Sequence, residues 1–185
     1  MKVLYFIYGI ICYVIFLGVF LYAIGFVGNI VVPKTVDTGN ETPVLSAFII
    51  NSVLLGLFAL QHSIMARPAF KRWWTRIVPK SIERSTYVLA TNIVMILLFW
   101  QWRPMTEIIW KTENTTLIMI LWGLFVLGWL IVFLSTFMID HFDLFGLKQV
   151  FENLRSVEPR PLSFTKKYFY ALVRHPLMLG FIIAF

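Results

Sequence analysis

Residues 3–33 read VLYFIYGIICYVIFLGVFLYAIGFVGNIVVP and contain no charged side chain. Similar charge-free apolar runs occupy residues 42–66, 85–102 and 114–139. About 20 apolar residues in a helix cross the hydrocarbon core of a bilayer, and only helices or closed barrels satisfy their backbone groups there. The four runs are too long for barrel strands. They predict an all-α, multi-pass membrane protein with four complete transmembrane helices, and a fifth helix is predicted to begin near Leu177.

Composition supports the same class and bounds the domain count. Of the 185 residues, 59% are hydrophobic and 14% are charged, whereas soluble domains carry about 25% charged residues. We therefore predict a single integral-membrane domain over residues 1–185. Residues 177–185 give roughly 14 Å of helix at 1.5 Å per residue, too little to cross a bilayer, so the domain is predicted to be incomplete at its C-terminus. The single cysteine, Cys12, excludes an intramolecular disulfide and a multi-cysteine metal site.

The charges predict how the helices are oriented. Residues 67–84 hold six basic and one acidic side chain, for a net +5, and residues 140–174 hold six and four, for +2. Residues 34–41 and 103–113 carry net charges of −1 and 0. Lysine and arginine are retained on the cytoplasmic side, so the N-terminus and both basic loops are predicted to be cytoplasmic. This charge lies against anionic headgroups, which makes nucleic acid a poor partner.

All three histidines fall at the predicted cytoplasmic face. His62 lies near the end of the second helix, His141 follows the fourth, and His175 begins the fifth. Three more charged residues lie at the same level, namely Asp140, Asp143 and Arg174. Ionisable groups near membrane depth are costly and tend to be functional. Each histidine alone could be an interfacial side chain with one edge in water, but the three together predict a shared site.

The segment from Arg174 to Gly180, RHPLMLG, is predicted to open the fifth helix. Pro176 suits the first helical turn, where its missing N–H costs nothing. The helix N-terminus presents amide donors to a carboxylate or phosphate. Gly180 would let a ligand or a neighbouring helix approach the backbone. Upstream, residues 140–149 are predicted to form a turn that ends in Gln149, and residues 163–173 a short amphipathic lead-in to the fifth helix.

Several blocks of the chain resemble the bacterial methanethiol S-methyltransferases. The resemblance runs from the second helix to the last residue, through QHSIMARP (61–68), FKRWWTRIVP (70–79), ERSTYVL (83–89), LFWQWRP (98–104), DHFDLFGL (140–147), QV (149–150) and VRHPL (173–177). The Arg-His-Pro segment is also similar to the isoprenylcysteine carboxyl methyltransferases and to NnrU-type membrane proteins. The resemblance implies a multi-pass enzyme of the bacterial cytoplasmic membrane. It would transfer a methyl group from S-adenosylmethionine to methanethiol, giving dimethyl sulfide and S-adenosylhomocysteine.

This activity assigns provisional roles to the predicted site. The thiolate is the reactive form of a thiol, so a base is needed beside the acceptor sulfur. His141, supported by Asp140 or Asp143, is the candidate base, and His62 is the rival. The resemblance places five residues on the cofactor side: Gln149, Arg174, His175, Pro176 and Gly180. A haem-binding NnrU-like protein or isomerase is the alternative function, with His62 and His141 as axial ligands, and a non-catalytic membrane scaffold is a third. The sequence carries no signal for oligomeric state.

Overall fold

A computed structural model describes residues 1–108, 110–158, 170 and 173–185. Within these residues the chain forms helices and no strand. The helices are α1 (Lys2–Gly28), α2 (Val44–Ala66), α3 (Pro68–Trp74), α4 (Lys80–Gln101), α5 (Thr115–Ile139), α6 (His141–Leu144), α7 (Leu147–Arg155) and α8 (Pro176–Ala184). The predicted all-α class is confirmed.

The four predicted spans are confirmed as α1, α2, α4 and α5. Each is long and apolar enough to cross a bilayer, and most large apolar side chains along α2 and α5 are exposed, as lipid-facing side chains must be. In α4, 33% of the most apolar window is buried, against 17% in each of the other three. The reason is that α4 packs against α1, α2 and α7.

Local sequence signals account for several helix boundaries. Pro176 occupies the first turn of α8, as predicted. At the start of α5, the Asn114 side chain accepts a hydrogen bond from the Leu117 N–H at 3.1 Å, which is a typical N-cap. The helix ends at Asp140, whose φ of 155° lies outside the helical region.

The segment after α5 differs from the prediction. We expected residues 140–149 to form one turn, but the turn is confined to Phe145 and Gly146, with α6 before it and α7 after it. Leu147, Val150 and Leu154 repeat at helical spacing, which explains why an amphipathic helix forms within a polar loop. Apart from residues 170 and 173, the predicted lead-in over residues 163–173 lies outside the described residues.

The chain divides into two compact units. Unit 1 comprises Met1–Thr106 and Phe145–Pro159. In it α7 packs on the first half of α1, where a Cβ placed on Gly9 would lie 2.5 Å from a Val150 methyl. Near the other end of α1, an apolar cluster of buried side chains joins α1, α2 and α4, formed by Phe26, Leu54, Leu98 and Phe99.

Unit 2 comprises Glu107–Leu144 and Arg160–Phe185. Its centre is the pair α5 and α8, which touch through glycines. A Cβ placed on Gly128 would lie 2.6 Å from the Gly180 carbonyl oxygen and 2.5 Å from the Ala184 nitrogen, while one on Gly180 would lie 2.8 Å from a Val132 methyl. Later residues of α8 therefore meet earlier residues of α5. The two helices run antiparallel, so the start of α8 lies toward the end of α5.

Candidate functional site

His141 is the most buried titratable candidate in unit 2. It follows the last residue of α5 by two positions and begins the short helix α6. Only 2% of its surface is exposed. A histidine held this far from water must satisfy its ring nitrogens within the protein, so its partners decide its protonation state.

The partner of the His141 Nδ1 atom is Thr136, one turn before the end of α5. Thr136 Oγ1 lies 2.7 Å from Nδ1 and donates its own proton to the Phe133 carbonyl oxygen at 2.6 Å. Because the hydroxyl has one proton, its oxygen accepts from the ring, and Nδ1 must carry hydrogen. The neutral imidazole is thereby held as the Nδ1–H tautomer, whose basic nitrogen is Nε2. Sequence reasoning missed Thr136 because the contact depends on the helix ending at Asp140.

Aromatic side chains surround the same ring. Phe137 stacks on the imidazole with ring centroids 4.1 Å apart and planes 8° apart, and Phe133 and Phe142 make edge contacts at 6.0 and 5.4 Å. Burial lowers the pKa of His141 from its usual value, and the negative charge of Asp140 partly opposes this effect. Because the net shift is downward, His141 is neutral at pH 7.

Asp140 and Asp143 were both predicted to support His141. The Asp140 carboxylate accepts the Asp143 backbone N–H at 3.1 Å, and the Asp140 carbonyl accepts the Leu144 N–H at 2.9 Å. Asp140 therefore caps α6, the helix that carries His141, and also acts on its ring through charge. Asp143 contributes a backbone donor to this cap.

The predicted cofactor-side residues of unit 2 begin α8. Arg174 and His175 are exposed, whereas Pro176 is fully buried. They lie at the end of unit 2 toward which α5 runs, and His141 follows α5 at that end. The sequence predicts that either a ligand or a neighbouring helix approaches the backbone at Gly180. In the structure, the helix α5 makes this approach. The role of Gly180 toward a cofactor stays a prediction.

His62 belongs to unit 1, near the end of α2. The Tyr87 hydroxyl of α4 lies 2.9 Å from its Nδ1 and 3.0 Å from its Nε2. The Arg84 guanidinium lies 4.9 Å from the centre of the Tyr87 ring, and Phe58 stacks on His62 at 5.4 Å. Tyr87 is a second residue that sequence reasoning missed, since 25 positions separate it from His62.

Gln149 is half-buried on α7 in unit 1. The turn before it requires glycine at position 146 for two reasons. Gly146 has a φ of +88°, and a Cβ there would lie 2.6 Å from the Ser85 nitrogen and hydroxyl. Ser85 donates its hydroxyl proton to the Gly146 carbonyl at 3.3 Å. This contact fixes α7, and Gln149 with it, against the beginning of α4.

Comparison with known proteins gives relatives along nearly the whole chain. It is 54% identical over 179 residues to methanethiol S-methyltransferase of Mycobacterium tuberculosis, covering 97% of this chain and 73% of that protein. It is 52% identical to methanethiol S-methyltransferase 2 of Bradyrhizobium diazoefficiens, covering 96% and 68%. For the enzyme of Crocosphaera subtropica the identity is 49%, covering 96% and 70%. No family model matches the chain, and no solved structure matches it.

Proposed function

This chain belongs to the methanethiol S-methyltransferase family, and we propose that it methylates methanethiol to dimethyl sulfide with S-adenosylmethionine as the methyl donor. We place the reaction at the cytoplasmic face of the bacterial cytoplasmic membrane, with the N-terminus also cytoplasmic. The net +5 and +2 of the two basic loops support this orientation. An apolar thiol partitions into lipid, which gives a reason for the enzyme to be a membrane protein.

The observation that carries the mechanism is the buried, neutral His141 with its Nδ1 proton donated to Thr136. Simple thiols are weak acids, with cysteine itself near 8.5, so a bound thiol needs a base at neutral pH. In the Nδ1–H tautomer, Nε2 carries the lone pair that accepts a proton. His141 takes the thiol proton on Nε2, and the sulfur becomes the nucleophile.

Asp140 has a role in the same step. Proton transfer turns His141 into an imidazolium, a charge that burial disfavours. The negative charge of Asp140 raises the pKa of His141 and thereby stabilises the imidazolium as it forms. Asp140 also caps α6 and holds the backbone of His141 in place. Asp143 supports the base only through this cap.

The start of α8 is suited to hold the donor. S-adenosylmethionine supplies a methyl group on a sulfonium sulfur, and its amino acid end carries a carboxylate. Arg174 can pair with a carboxylate, and the first amides of α8 offer donors and a positive dipole end. Arg174 is exposed, so its guanidinium is accessible to such a carboxylate. We assign His175 and Pro176 to the same group, Gly180 to the packing that positions it, and Gln149 as a further candidate contact.

A bound S-adenosylmethionine would supply the methyl group to the thiolate sulfur and would leave as S-adenosylhomocysteine. The thiol proton remains on His141 and passes to solvent after product release. The Phe133, Phe137 and Phe142 rings exclude water from the base, and positioning of the two sulfurs provides most of the acceleration.

His62 is the weaker candidate for the base. Its ring nitrogens both lie within hydrogen-bond distance of the Tyr87 hydroxyl, which competes with a substrate for either nitrogen. We therefore assign the pair of His62 and Tyr87 to holding α2 against α4.

The experiment uses membranes from a host that lacks the activity and expresses the full-length gene. Methanethiol and S-adenosylmethionine with a trideuterated methyl group are supplied, and headspace gas is analysed by mass spectrometry. We expect dimethyl sulfide three mass units heavier than the unlabelled compound, at levels absent from vector-only membranes. Well-inserted protein that yields no labelled product would overturn the proposal, and a haem absorbance band in it would favour the alternative function.

A further inference from the structure

Two basic residues gather at the end of unit 1 farthest from α7. Lys34 follows α1 and donates from its Nζ to the Trp100 carbonyl in the last turn of α4, while Arg103 lies just beyond that helix. In contrast, α7 meets α4 at Ser85, fifteen residues earlier, which is about 22 Å along a helix. The two cations are thus far from His62, which contacts Tyr87 near the Ser85 end of α4.

Hydrogen bonds fix the backbones of both residues. Tyr22 donates from its hydroxyl to the Lys34 carbonyl at 3.1 Å. The Asn51 side chain, buried on α2, donates to the Arg103 carbonyl at 2.7 Å and accepts the Arg103 N–H at 2.9 Å. These hydrogen bonds hold the backbone positions from which the two basic side chains extend.

No carboxylate balances this charge within the described part of the chain. The ion pair found there joins Lys111 and Glu113 at 3.4 Å and involves neither cation. The Arg103 Nε atom is buried and has no hydrogen-bond partner among the described residues. Burial and the nearby charge of Arg103 both lower the pKa of Lys34. Two neighbouring cations without a carboxylate partner among the described residues favour the binding of an anion.

An apolar cleft begins at the same place. It has a volume of about 460 Å³ and runs between α1 and α4, with Gly18, Val19, Ile96 and Phe99 along its walls and Lys34 at its end. A Cβ placed on Gly18 would meet no atom within 4 Å, so the cleft is open over that residue. Its lining suits a hydrocarbon chain and not a free, hydrated anion.

We propose that this cleft binds an anionic phospholipid, with the phosphate between Lys34 and Arg103 and one acyl chain along Gly18 and Ile96. The ligand matches both halves of the site, a cationic end and an apolar channel. Trp100, exposed beside Lys34, is the type of residue found at the headgroup level. The lipid would bridge α1 and α4 on their membrane-facing side. The proposal depends on insertion into a membrane and not on the methyl-transfer reaction.

The test is native mass spectrometry of the full-length protein in detergent, titrated with phosphatidylglycerol or phosphatidylcholine of identical acyl chains. We expect tighter binding of phosphatidylglycerol. Lys34→Gln and Arg103→Gln should each weaken it about five-fold, the effect of one basic residue near anionic lipid. Lys111→Gln is the matched control, because that lysine already has a carboxylate partner, and it should leave the preference unchanged.

A second pair of variants tests the cleft itself. Gly18→Leu fills the channel without displacing a protein atom and should abolish preferential binding. Gly56→Leu places the same side chain in equally open space on α2 and should have no effect. Equal binding of the two lipids would overturn the proposal. So would equal losses in the two leucine variants, or competition by glycerol phosphate, which has the headgroup anion and no chain.

Discussion

Replacement of Thr136 by valine tests how the protein sets the tautomer of His141. The substitution keeps the shape of the side chain and removes the hydroxyl that accepts the Nδ1 proton at 2.7 Å. The surroundings are too buried for bulk water to replace it, since Thr136 is 6% exposed and His141 is 2% exposed. An Nδ1–H left in place would then be a buried, unsatisfied donor.

The size of the effect on the tautomer equilibrium follows from the cost of leaving the His141 Nδ1–H without an acceptor. An unsatisfied buried donor costs about 1–3 kcal/mol, which corresponds to a factor of about 5 to 150 in the tautomer equilibrium. The proton moves to Nε2, the nitrogen that must accept from the thiol. We therefore expect Thr136→Val to lower kcat by about 5- to 150-fold, with little change in the amount of folded protein.

The assay combines dimethyl sulfide production with ¹⁵N spectra of histidine-labelled protein, which distinguish the two tautomers. The chain has three histidines, so His62→Gln and His175→Gln variants assign the signals. Thr136→Ser retains the hydroxyl and is the control, expected to keep both the Nδ1–H tautomer and most of the activity. A valine variant that keeps full activity, or loses it with the tautomer unchanged, would exclude this role of Thr136.

Gly128→Ala places a methyl group 2.5 Å from the Ala184 backbone nitrogen, so it should destabilise the protein by about 1–3 kcal/mol in thermal unfolding. Gly123→Ala, in open space on the same helix, should be neutral or slightly stabilising. Equal effects of the two substitutions would contradict the packing of α5 on α8. Burial lowers the pKa of His141 from about 6.5, so its contribution to stability is complete above pH 6.5 and is lost as the pH falls through the lower pKa of the folded state. The rate of dimethyl sulfide formation should therefore be flat near pH 7 and fall only in acid. A rate that still rises through pH 7 with the pKa of a histidine would count against this. His62→Gln should reduce the rate of dimethyl sulfide formation far less than His141→Gln, and the reverse order would make His62 the base.

The sequence predicts the parts of the fold that composition alone determines. The four spans are continuous apolar runs, and insertion in lipid leaves them no alternative to the helix. The start of α8 can likewise be predicted from the local sequence, because Pro176 is compatible with a helix only in its first turn. The histidines could be placed at helix ends for the same reason, since each follows or precedes a recognisable apolar run.

Contacts between distant segments could not be predicted in this way. The helix α7 was missed because its pattern of Leu147, Val150 and Leu154 is short, and its stability depends on packing against Gly9 and Ser85. The Tyr87 contact with His62 requires the relative rotation of α2 and α4. The Thr136 contact requires the position at which α5 stops. Each is a property of tertiary packing, on which a hydropathy pattern carries no information.

We propose that His141 is the base of a thiol methyltransferase. The most direct measurement compares His141→Gln with the unchanged protein in purified, full-length form, recording dimethyl sulfide formation and S-adenosylmethionine binding side by side. General bases contribute about 10²- to 10⁴-fold, so we expect kcat to fall by at least about 100-fold while the affinity for S-adenosylmethionine stays within a factor of about two. A variant that binds the donor and still forms dimethyl sulfide at a rate close to that of the unchanged protein would contradict the account.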